Sequence, residues 1–282
     1  MRAPRDEDAP LVAELTSRYA PEPYPVAAVV HDWSTPGFDR DVDARIDNGA
    51  YAAVLRDGVD RAYIDLCGDP SHELVDWAIA RARERGFVRL FTSAWSDDAE
   101  LHRAYERAGF RLVRHSYRMA IALDGDLPEP AWPDGVTVRT AREEDVPTVY
   151  AVQQETFEDH WEHERASLEE WMHALVRQDE FRADLWFIAE AGGEVAGVAL
   201  CNQRESNTDA SRIAIIGVRR PWRRRGLGRA LLVHAFRELR RAGFRRATLG
   251  VDADSLTGAN RLYESAGMQI VGQHDIFEKR LR

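Results

Sequence analysis

The alternation of apolar and polar positions along the chain predicts short strands and amphipathic helices in a repeating order. In the second half, the β-branched run at 213–218 is typical of a buried strand. The run that begins at Ala230 has apolar side chains at helical spacing, which are Leu231, Leu232, Ala235, Phe236 and Leu239. The pattern therefore predicts a strand, a glycine-containing turn and a helix in that order.

The same plan occurs twice. Residues 72–118 and 229–275 each read as a helix, an apolar strand and a second helix. Glycine is typical of helix C-termini, where the backbone turns left-handed. The glycines that follow the paired helices have nearly equal spacing, 23 residues for Gly86 and Gly109 and 24 residues for Gly243 and Gly267. We therefore predict two halves with one α/β architecture.

Turn-forming residues mark the boundaries within this plan. A stretch rich in proline, glycine and aspartate predicts a linker at 128–135, with domains at 1–127 and 136–282. Within each half, two strand-like runs flank a glycine turn and predict a hairpin, at 51–66 and at 185–200.

The length and composition are typical of a soluble globular protein. With 282 residues, 44% of them hydrophobic and 30% charged, the chain is long enough for two domains with separate cores. No apolar run approaches the roughly 20 residues that span a bilayer, and the N-terminus lacks the apolar segment of a signal peptide. A cytoplasmic protein without a membrane partner is expected. Cys67 and Cys201 are too few for a disulfide scaffold or a metal site, and we interpret them as structural thiols.

Charge is distributed unevenly along the chain. The net charge of −10 argues against general attraction to nucleic acid or to anionic membranes. Residues 212–246 nevertheless contain twelve arginines and a single acidic residue, Glu238. A nucleic-acid module would spread positive charge over a wider face and add aromatic platforms. The patch therefore favours one specific polyanionic ligand, and no nucleic-acid partner is predicted.

The basic patch is densest at 219–229, where six arginines and two glycines lie between the predicted strand and helix. A helix N-terminus leaves its first N–H groups unpaired and carries partial positive charge, and Gly226 and Gly228 let the backbone approach a ligand. This pattern predicts a phosphate-binding site; a solvated basic turn that caps a core helix is the alternative. The equivalent loop of the first half, 67–73, is shorter and acidic and contains proline. We expect only the second half to hold this ligand.

These residues resemble the GCN5-related N-acetyltransferase (GNAT) superfamily. Arg223, Gly226 and Gly228 fill the Gln/Arg-x-x-Gly-x-Gly/Ala pattern of its acetyl-CoA loop. Residues 260–268 are similar to its asparagine-to-tyrosine segment that ends in Gly-Phe, shortened between the asparagine and the tyrosine. The two motifs stand in the family's order within 136–282. The first half resembles the same fold without the cofactor loop, a tandem arrangement that is also seen in mycothiol synthase.

The resemblance implies two tandem GNAT-like domains, each a mixed, mostly antiparallel twisted sheet flanked by helices. It implies acetyl-CoA as acetyl donor, with the diphosphate on the backbone of 224–229 and the pantetheine arm along strand 213–218, which diverges from strand 247–251. The implied cofactor-binding residues are Ile216, Val218, Arg219, Arg223, Arg224, Arg225, Gly226, Leu227, Gly228, Arg229 and Asn260, the last holding either cofactor or its own helix. Tyr263 is implied as the general acid that protonates the departing thiolate, whereas we interpret Tyr105 as a core residue.

The acceptor side is less defined. The strand before the loop contains no carboxylate, and Arg212 stands where the mycothiol synthase pattern has glutamate. The candidates for the base are Glu155, His160, His163 and Asp252, of which Glu155 is the predicted catalytic residue. In the family the helix-to-helix segment walls the acceptor site, and the predicted acceptor-binding residues are Asp159, His160, Trp161 and Asp252.

Structural explanations of these acceptor residues remain open. A solvated helix face with a buried Trp161 is one alternative, and Asp252 and Asp254 as caps of a helix near Thr257 are another. No metal is predicted, because His160 and its neighbours lack a clear third ligand.

We expect an acetyl-CoA-dependent N-acetyltransferase that acts on the primary amine of a small molecule, as a monomer or homodimer. Protein N-acetylation or an activity like that of mycothiol synthase are alternatives within the enzyme class. A non-catalytic acyl-CoA-binding or partner-binding protein is the alternative outside it.

Overall fold

The computed structural model describes residues 1–177, 181–203, 209–255 and 257–281. Its contacts divide the chain into two compact units. The first unit comprises Met1–Tyr117 and Gly272–Arg282, and the second unit comprises Arg118–Val271. The described residues from Gly272 onwards thus pack with the first unit. The domain boundaries that we derived from the sequence stay a prediction.

The first unit has a mixed, mostly antiparallel sheet. Its elements in chain order are α1 (Ala9–Ser17), α2 (Val26–Trp33), α3 (Arg40–Asp43), β1 (Ala44–Asp47), β2 (Ala50–Arg56), β3 (Arg61–Cys67), α4 (His72–Glu84), β4 (Arg89–Trp95), α5 (Ala99–Arg107) and the start of β5 (Arg111–Ala122), with most of the C-terminal strand β11 (Gln269–Arg280). The strand order is β1-β2-β3-β4-β11, in which β3 and β4 are parallel and the other neighbours are antiparallel.

Strand β3 shows how the sheet separates two cores. Because side chains alternate between the faces of a strand, Ala62, Ile64 and Leu66 lie on one face, in the core that includes the apolar side of α4. Cys67 lies on the other face, in a core with residues of α1 and α2. By the same alternation, Asp65 is on the α1 and α2 side of the sheet.

The second unit repeats the mixed, mostly antiparallel plan. Its elements are β6 (Val136–Thr140), α6 (Val146–Phe157), α7 (Leu168–Leu175), β7 (Trp186–Ala191), β8 (Glu194–Gln203), β9 (Ala210–Val218), α8 (Leu227–Arg241), β10 (Arg246–Asp252) and α9 (Ala259–Ser265). The strand order is β6-β7-β8-β9-β10, in which β9 and β10 are parallel and the other neighbours are antiparallel. Helices α6 and α7 cover β7 and β8 with a core that includes Val149, Trp171 and Trp186.

The fold class and both predicted hairpins, β2–β3 and β7–β8, are confirmed. The glycines after the paired helices all have positive φ, as predicted. Helix α8 begins at Leu227, three residues before the predicted start, because Gly226 takes the left-handed conformation at the N-cap. None of the helices in the described part of the chain combines the length and apolarity that crossing a membrane requires.

Candidate active site

A cleft opens in the second unit where β9 and β10 part. The two strands pair only over Ala210–Arg212 of β9, whereas β9 continues to Val218. The divergence expected for these strands is therefore present. Beside it lies a cavity of about 420 Å³ whose wall includes Ile216, Val218 and Gly228. Parting strands leave backbone N–H and C=O groups of β9 without sheet partners on this side, which is the edge that an extended ligand can pair with.

The loop at 219–229 ends in an open helix N-terminus. Arg224 has φ +59° and Gly226 has φ +84°, so the backbone turns left-handed twice before α8 begins. Gly226 provides no side-chain cap to the helix. Within the described residues, none of the six backbone N–H groups of 224–229 donates to a protein acceptor, and the first helical hydrogen bond runs from Ala230 N to Gly226 O at 3.0 Å. This array, at the positive end of a helix dipole, is suited to bind an anion.

Five of the six loop arginines fall into two groups. Arg219, Arg220 and Arg223 are in ion pairs with carboxylates from the C-terminal end of α6 and the residues just after it, at 2.9, 2.7 and 2.8 Å. Arg224 and Arg225 have no carboxylate partner among the described residues, and the guanidinium of Arg225 lies 5.2 Å from the ring centre of Trp222. The first group fixes the loop, and the second group is available to a ligand.

Arg223 is the main anchor of the loop. Its Nε donates to Val218 O at 2.9 Å, and its terminal nitrogens donate to Thr156 O at 3.2 Å and to Asp159 at 2.8 Å. Arg220 donates to the other oxygen of Asp159 at 2.7 Å. The two arginines lower the pKa of Asp159 to about 2. Asp159, predicted to bind the acceptor, thus contacts the cofactor loop and also lines the cavity.

Glu155, the predicted catalytic base, is held by an arginine. Arg219 Nε lies 2.9 and 3.1 Å from its two carboxylate oxygens. Glu155 is not among the residues that line the cavity, whereas His160 is. The geometry therefore brings His160, rather than Glu155, to the cleft.

His160 has the properties of a neutral imidazole. Burial lowers its pKa below the ordinary value of 6.5, and the neighbouring His163 lowers it further, while Asp252 acts in the opposite direction. Its ring lies 4.1 Å from the ring of Phe157. Trp161 is 36% exposed and lies beyond the end of α6, so the alternative of a helix face with a buried tryptophan is wrong. Across the described residues, no group of three histidine, cysteine or acidic side chains is placed to hold a metal ion.

Tyr263 and its counterpart in the first unit differ in their hydrogen bonds. Tyr105 is fully buried and donates from its hydroxyl to Ser93 O at 3.1 Å, which confirms it as a core residue. Tyr263 is 9% exposed, and its hydroxyl has no hydrogen-bond partner in the described ranges. Burial raises its pKa to about 12, so the hydroxyl keeps its proton at neutral pH. Tyr263 does not itself belong to the residues that line the cavity.

Asn260 ties the end of β10 to α9. Its Nδ2 donates to Asp252 O at 3.1 Å and to Ala253 O at 2.7 Å. Its Oδ1 is buried and accepts no hydrogen bond from the described residues. A carboxylate oxygen of Asp252 accepts from Asp254 N at 2.9 Å, and Gly258 precedes α9 without a side-chain cap. The alternative in which these aspartates cap α9 is therefore wrong.

Three further residues line the cavity that the sequence did not single out, namely Thr156, Gly217 and Thr257. A Cβ at Gly217 would lie 2.5 Å from Thr156 Oγ1, so the strand has glycine there because α6 comes close. A glycine inside an apolar strand pattern is the signal that marks such a close approach.

Comparisons with known proteins agree with this geometry. The model of the acetyltransferase (GNAT) family matches residues 146–268. A mycothiol acetyltransferase of Thermobispora bispora is 31% identical over 244 residues, which cover 78% of this chain and 80% of that protein. The crystal structure of a GCN5-related N-acetyltransferase from Sphaerobacter thermophilus is 30% identical with a TM-score of 0.81, covering 100% of this chain and 95% of that one.

A tandem GNAT protein from the clavulanic acid biosynthesis pathway shares the fold at 16% identity, with a TM-score of 0.69 over 99% of this chain and 97% of that one. The chain therefore belongs to the GNAT family, in the tandem layout. It is an N-acetyltransferase whose acetyl donor is acetyl-CoA.

Proposed function

We propose that the second unit binds acetyl-CoA on the 219–229 loop and transfers its acetyl group to the primary amine of a small molecule. The observation that carries this proposal is the set of six backbone N–H groups at 224–229 that have no acceptor in the described protein. They stand at a helix N-terminus, beside a cavity that the parting of β9 and β10 opens. That arrangement supports a diphosphate on the loop and an extended arm in the cleft.

The residues of the loop and the cleft fit acetyl-CoA. The N–H groups of Leu227, Gly228 and Arg229 begin α8 and face no side-chain cap. Arg224 and Arg225 supply positive charge for phosphate, since neither is in an ion pair with a described carboxylate. Of the two roles open to Asn260, its hydrogen bonds to Asp252 O and Ala253 O support the structural one, in which it holds the end of β10 next to α9.

The edge of β9 at Ile216 and Val218 would pair with that arm in the manner of a neighbouring strand. Arg219 and Arg223 then act on the cofactor indirectly, by holding the loop in shape.

The proton transfers are assigned to two side chains. Acetyl-CoA supplies an acetyl group that is activated as a thioester. An amine reaches the site protonated, and His160, neutral because its pKa is lowered, accepts the proton that the amine must lose before its lone pair attacks. Tyr263 donates its hydroxyl proton to the departing sulfur, and its raised pKa keeps the hydroxyl protonated at neutral pH.

The acceptor site is assigned to the side of the cleft next to α6. The charge of Asp252 acts on His160 there and favours a cationic amine, whereas Asp159 is paired with Arg220 and Arg223. Trp161, which follows His160 in the chain, is assigned to the same site. The relatives named mycothiol acetyltransferase support a small molecule as acceptor. Mycothiol synthesis itself is not the favoured choice, because β9 has Arg212 in place of the glutamate of that pattern.

The test is the release of CoA thiol from acetyl-CoA over a panel of small primary amines. We expect at least one amine to give CoA release that saturates with amine concentration and yields the N-acetyl product by mass spectrometry. Binding of acetyl-CoA without amine-dependent release for any member of the panel would favour the non-catalytic alternative. Release only with peptide amines would favour protein acetylation.

A further inference from the structure

The first unit contains a cavity that the proposed acetyl transfer does not use. It has a volume of about 350 Å³ and lies on the α1 and α2 side of the sheet, with wall residues from β2, β3 and β4. Aromatic side chains form much of this wall, among them Tyr24, Trp33, Tyr51, Tyr63 and Trp95. A cavity of this size and lining is suited to a small organic ligand with an apolar body.

One carboxylate in this cavity has no partner among the residues that the structure describes. Of the three that line it, Asp32 accepts from Tyr24 Oη, and Asp98 accepts from the Leu101 N–H at 3.0 Å. Asp65 alone has no hydrogen bond or ion pair with any described residue. Asp65 is partly buried, and a carboxylate that loses part of its water without gaining a partner costs free energy in the folded protein.

The other charged and titratable groups around Asp65 leave its charge uncompensated. Arg18 at the rim is already in an ion pair at 3.2 Å with an exposed aspartate. His274 lies with its ring 3.6 Å from that of Trp95. Burial, with the charge of Asp32 added, raises the pKa of Asp65 to about 6, so the carboxylate is ionised at neutral pH.

One hydroxyl in the same cavity accepts a hydrogen bond but does not donate one to any described residue. Tyr51 is 3% exposed, and its oxygen accepts from Trp33 Nε1 at 3.0 Å. Its own O–H has no acceptor among the described residues. The cavity wall therefore offers a ligand one anionic acceptor, at Asp65, and one neutral donor, at Tyr51.

We propose that this cavity binds a small protonated amine with an apolar or aromatic body, whose ammonium group donates to the carboxylate of Asp65. The aromatic wall supports this choice twice, since it buries an apolar body and attracts a cation to its ring faces. Acetyl-CoA does not fit here. The loop at 67–73 carries Asp69 and Pro70, and the Leu74 N–H of α4 is taken by Ser71 Oγ at 3.2 Å.

The test is calorimetric titration of the whole protein, without acetyl-CoA, at pH 7.5. The probes are 2-phenylethylamine and its neutral isostere 2-phenylethanol, with Asp65→Asn as the variant. Asp76→Asn, at an exposed position on α4, is the matched control. We expect the wild type to bind the amine, and loss of the charge at residue 65 to weaken that binding about thirtyfold or more, as the loss of one member of a buried charge pair does.

The affinity of the wild type for the alcohol should be about as low as the affinity of Asp65→Asn for the amine. The control Asp76→Asn should bind the amine with the affinity of the wild type. An amine affinity equal to that of the alcohol, an amine affinity that Asp65→Asn leaves unchanged, or no amine binding at all would overturn the proposal. This test is independent of acetyl transfer, because an acceptor site in the second unit would keep its affinity in Asp65→Asn. Loss of amine binding in Asp65→Asn with CoA release intact separates the two sites.

Discussion

The helices that follow the two parallel strands of each unit begin in opposite ways. In the first unit, Ser71 Oγ accepts from the Leu74 N–H at the start of α4, and Asp98 caps α5 in the same manner. In the second unit, Gly226 and Gly258 precede α8 and α9 without any side-chain cap. A capping side chain stabilises a helix by about 1 kcal/mol and removes a donor that a ligand would need. One unit thus satisfies its own helix ends, and the other leaves them open.

The cavities of the two units also differ, in the charge of the groups that line them. The wall in the second unit includes Arg223 and Arg224, next to unpaired N–H groups, which suits an anion. The wall in the first unit carries three carboxylates and seven tyrosine, tryptophan and phenylalanine rings, which suits a cation. Duplicated folds can thus share a sheet plan while their loops and strand faces select ligands of opposite charge.

The largest expected effect is on the open helix end. Gly226→Glu places a carboxylate at the anion site, and a like-charge contact costs several kcal/mol, so we expect acetyl-CoA affinity to fall about a thousandfold. Gly243→Glu is the matched control, because Gly243 also has a positive φ and open space around its Cβ position but follows the C-terminus of α8. Calorimetry measures the affinity, and circular dichroism verifies folding. Equal affinity in both variants would mean that the loop is not the phosphate site.

The two tyrosines provide the next comparison. Tyr263→Phe should lower kcat about a hundredfold with little change in acetyl-CoA affinity, because it removes a proton donor and little packing. Tyr105→Phe should leave kcat unchanged and lower the free energy of unfolding by about 1 kcal/mol, because it removes the hydrogen bond to Ser93 O. Steady-state kinetics and urea unfolding measure the two effects. A wild-type kcat in Tyr263→Phe would exclude it as the general acid.

The unpaired carboxylate of the first unit should cost stability. The pKa of Asp65 rises from 3.8 to about 6 on folding. This rise corresponds to a loss of about 3 kcal/mol in the free energy of unfolding when the carboxylate is ionised. Because the side chain keeps some contact with water, we expect a loss of about 2 kcal/mol. Asp65→Asn should therefore raise the free energy of unfolding at pH 7.5. The folded wild type takes up the proton first as the pH falls, so this gain should shrink between about pH 6 and pH 4. A pH-independent gain, or a loss at pH 7.5, would show that Asp65 has a stabilising partner.

The pH dependence of kcat gives the smallest effect. Because the pKa of His160 lies below 6.5, kcat should be constant near neutral pH and fall about tenfold per pH unit below that pKa. Tyr263, with a pKa of about 12, should cause no decline below about pH 11. His160→Gln should remove the acidic decline, whereas Glu155→Gln should keep it. The opposite pattern in the two variants would assign the base to Glu155.

Local patterns were sufficient to predict much of this protein. The strand, loop and helix around 219–229, the hairpins and the helix-ending glycines depend on neighbouring residues, and each is found where spacing and turn chemistry indicate. The comparison of 67–73 with 219–229 also needed only the sequence. The role of Tyr105 in the core followed from the absence of a cofactor loop in its half.

Contacts between distant residues were beyond the reach of such patterns. Arg223 and Asp159 are 64 residues apart, and nothing in the spacing shows that the arginine of the acetyl-CoA motif is an anchor for its own loop. From the sequence alone, Asp65 is a polar position in a predicted hairpin strand. Its place in an aromatic cavity depends on how α1 and α2 cover the sheet, which one strand pattern cannot specify.

The central claim is that the chain has a single acetyl-CoA site, on the loop that keeps its helix end open. The most direct measurement is the stoichiometry of acetyl-CoA binding to the whole protein by calorimetric titration, followed by the same titration of Gly226→Glu. We predict one equivalent per chain for the wild type and none for the variant. Two equivalents in the wild type, or one equivalent that persists in Gly226→Glu, would contradict the account.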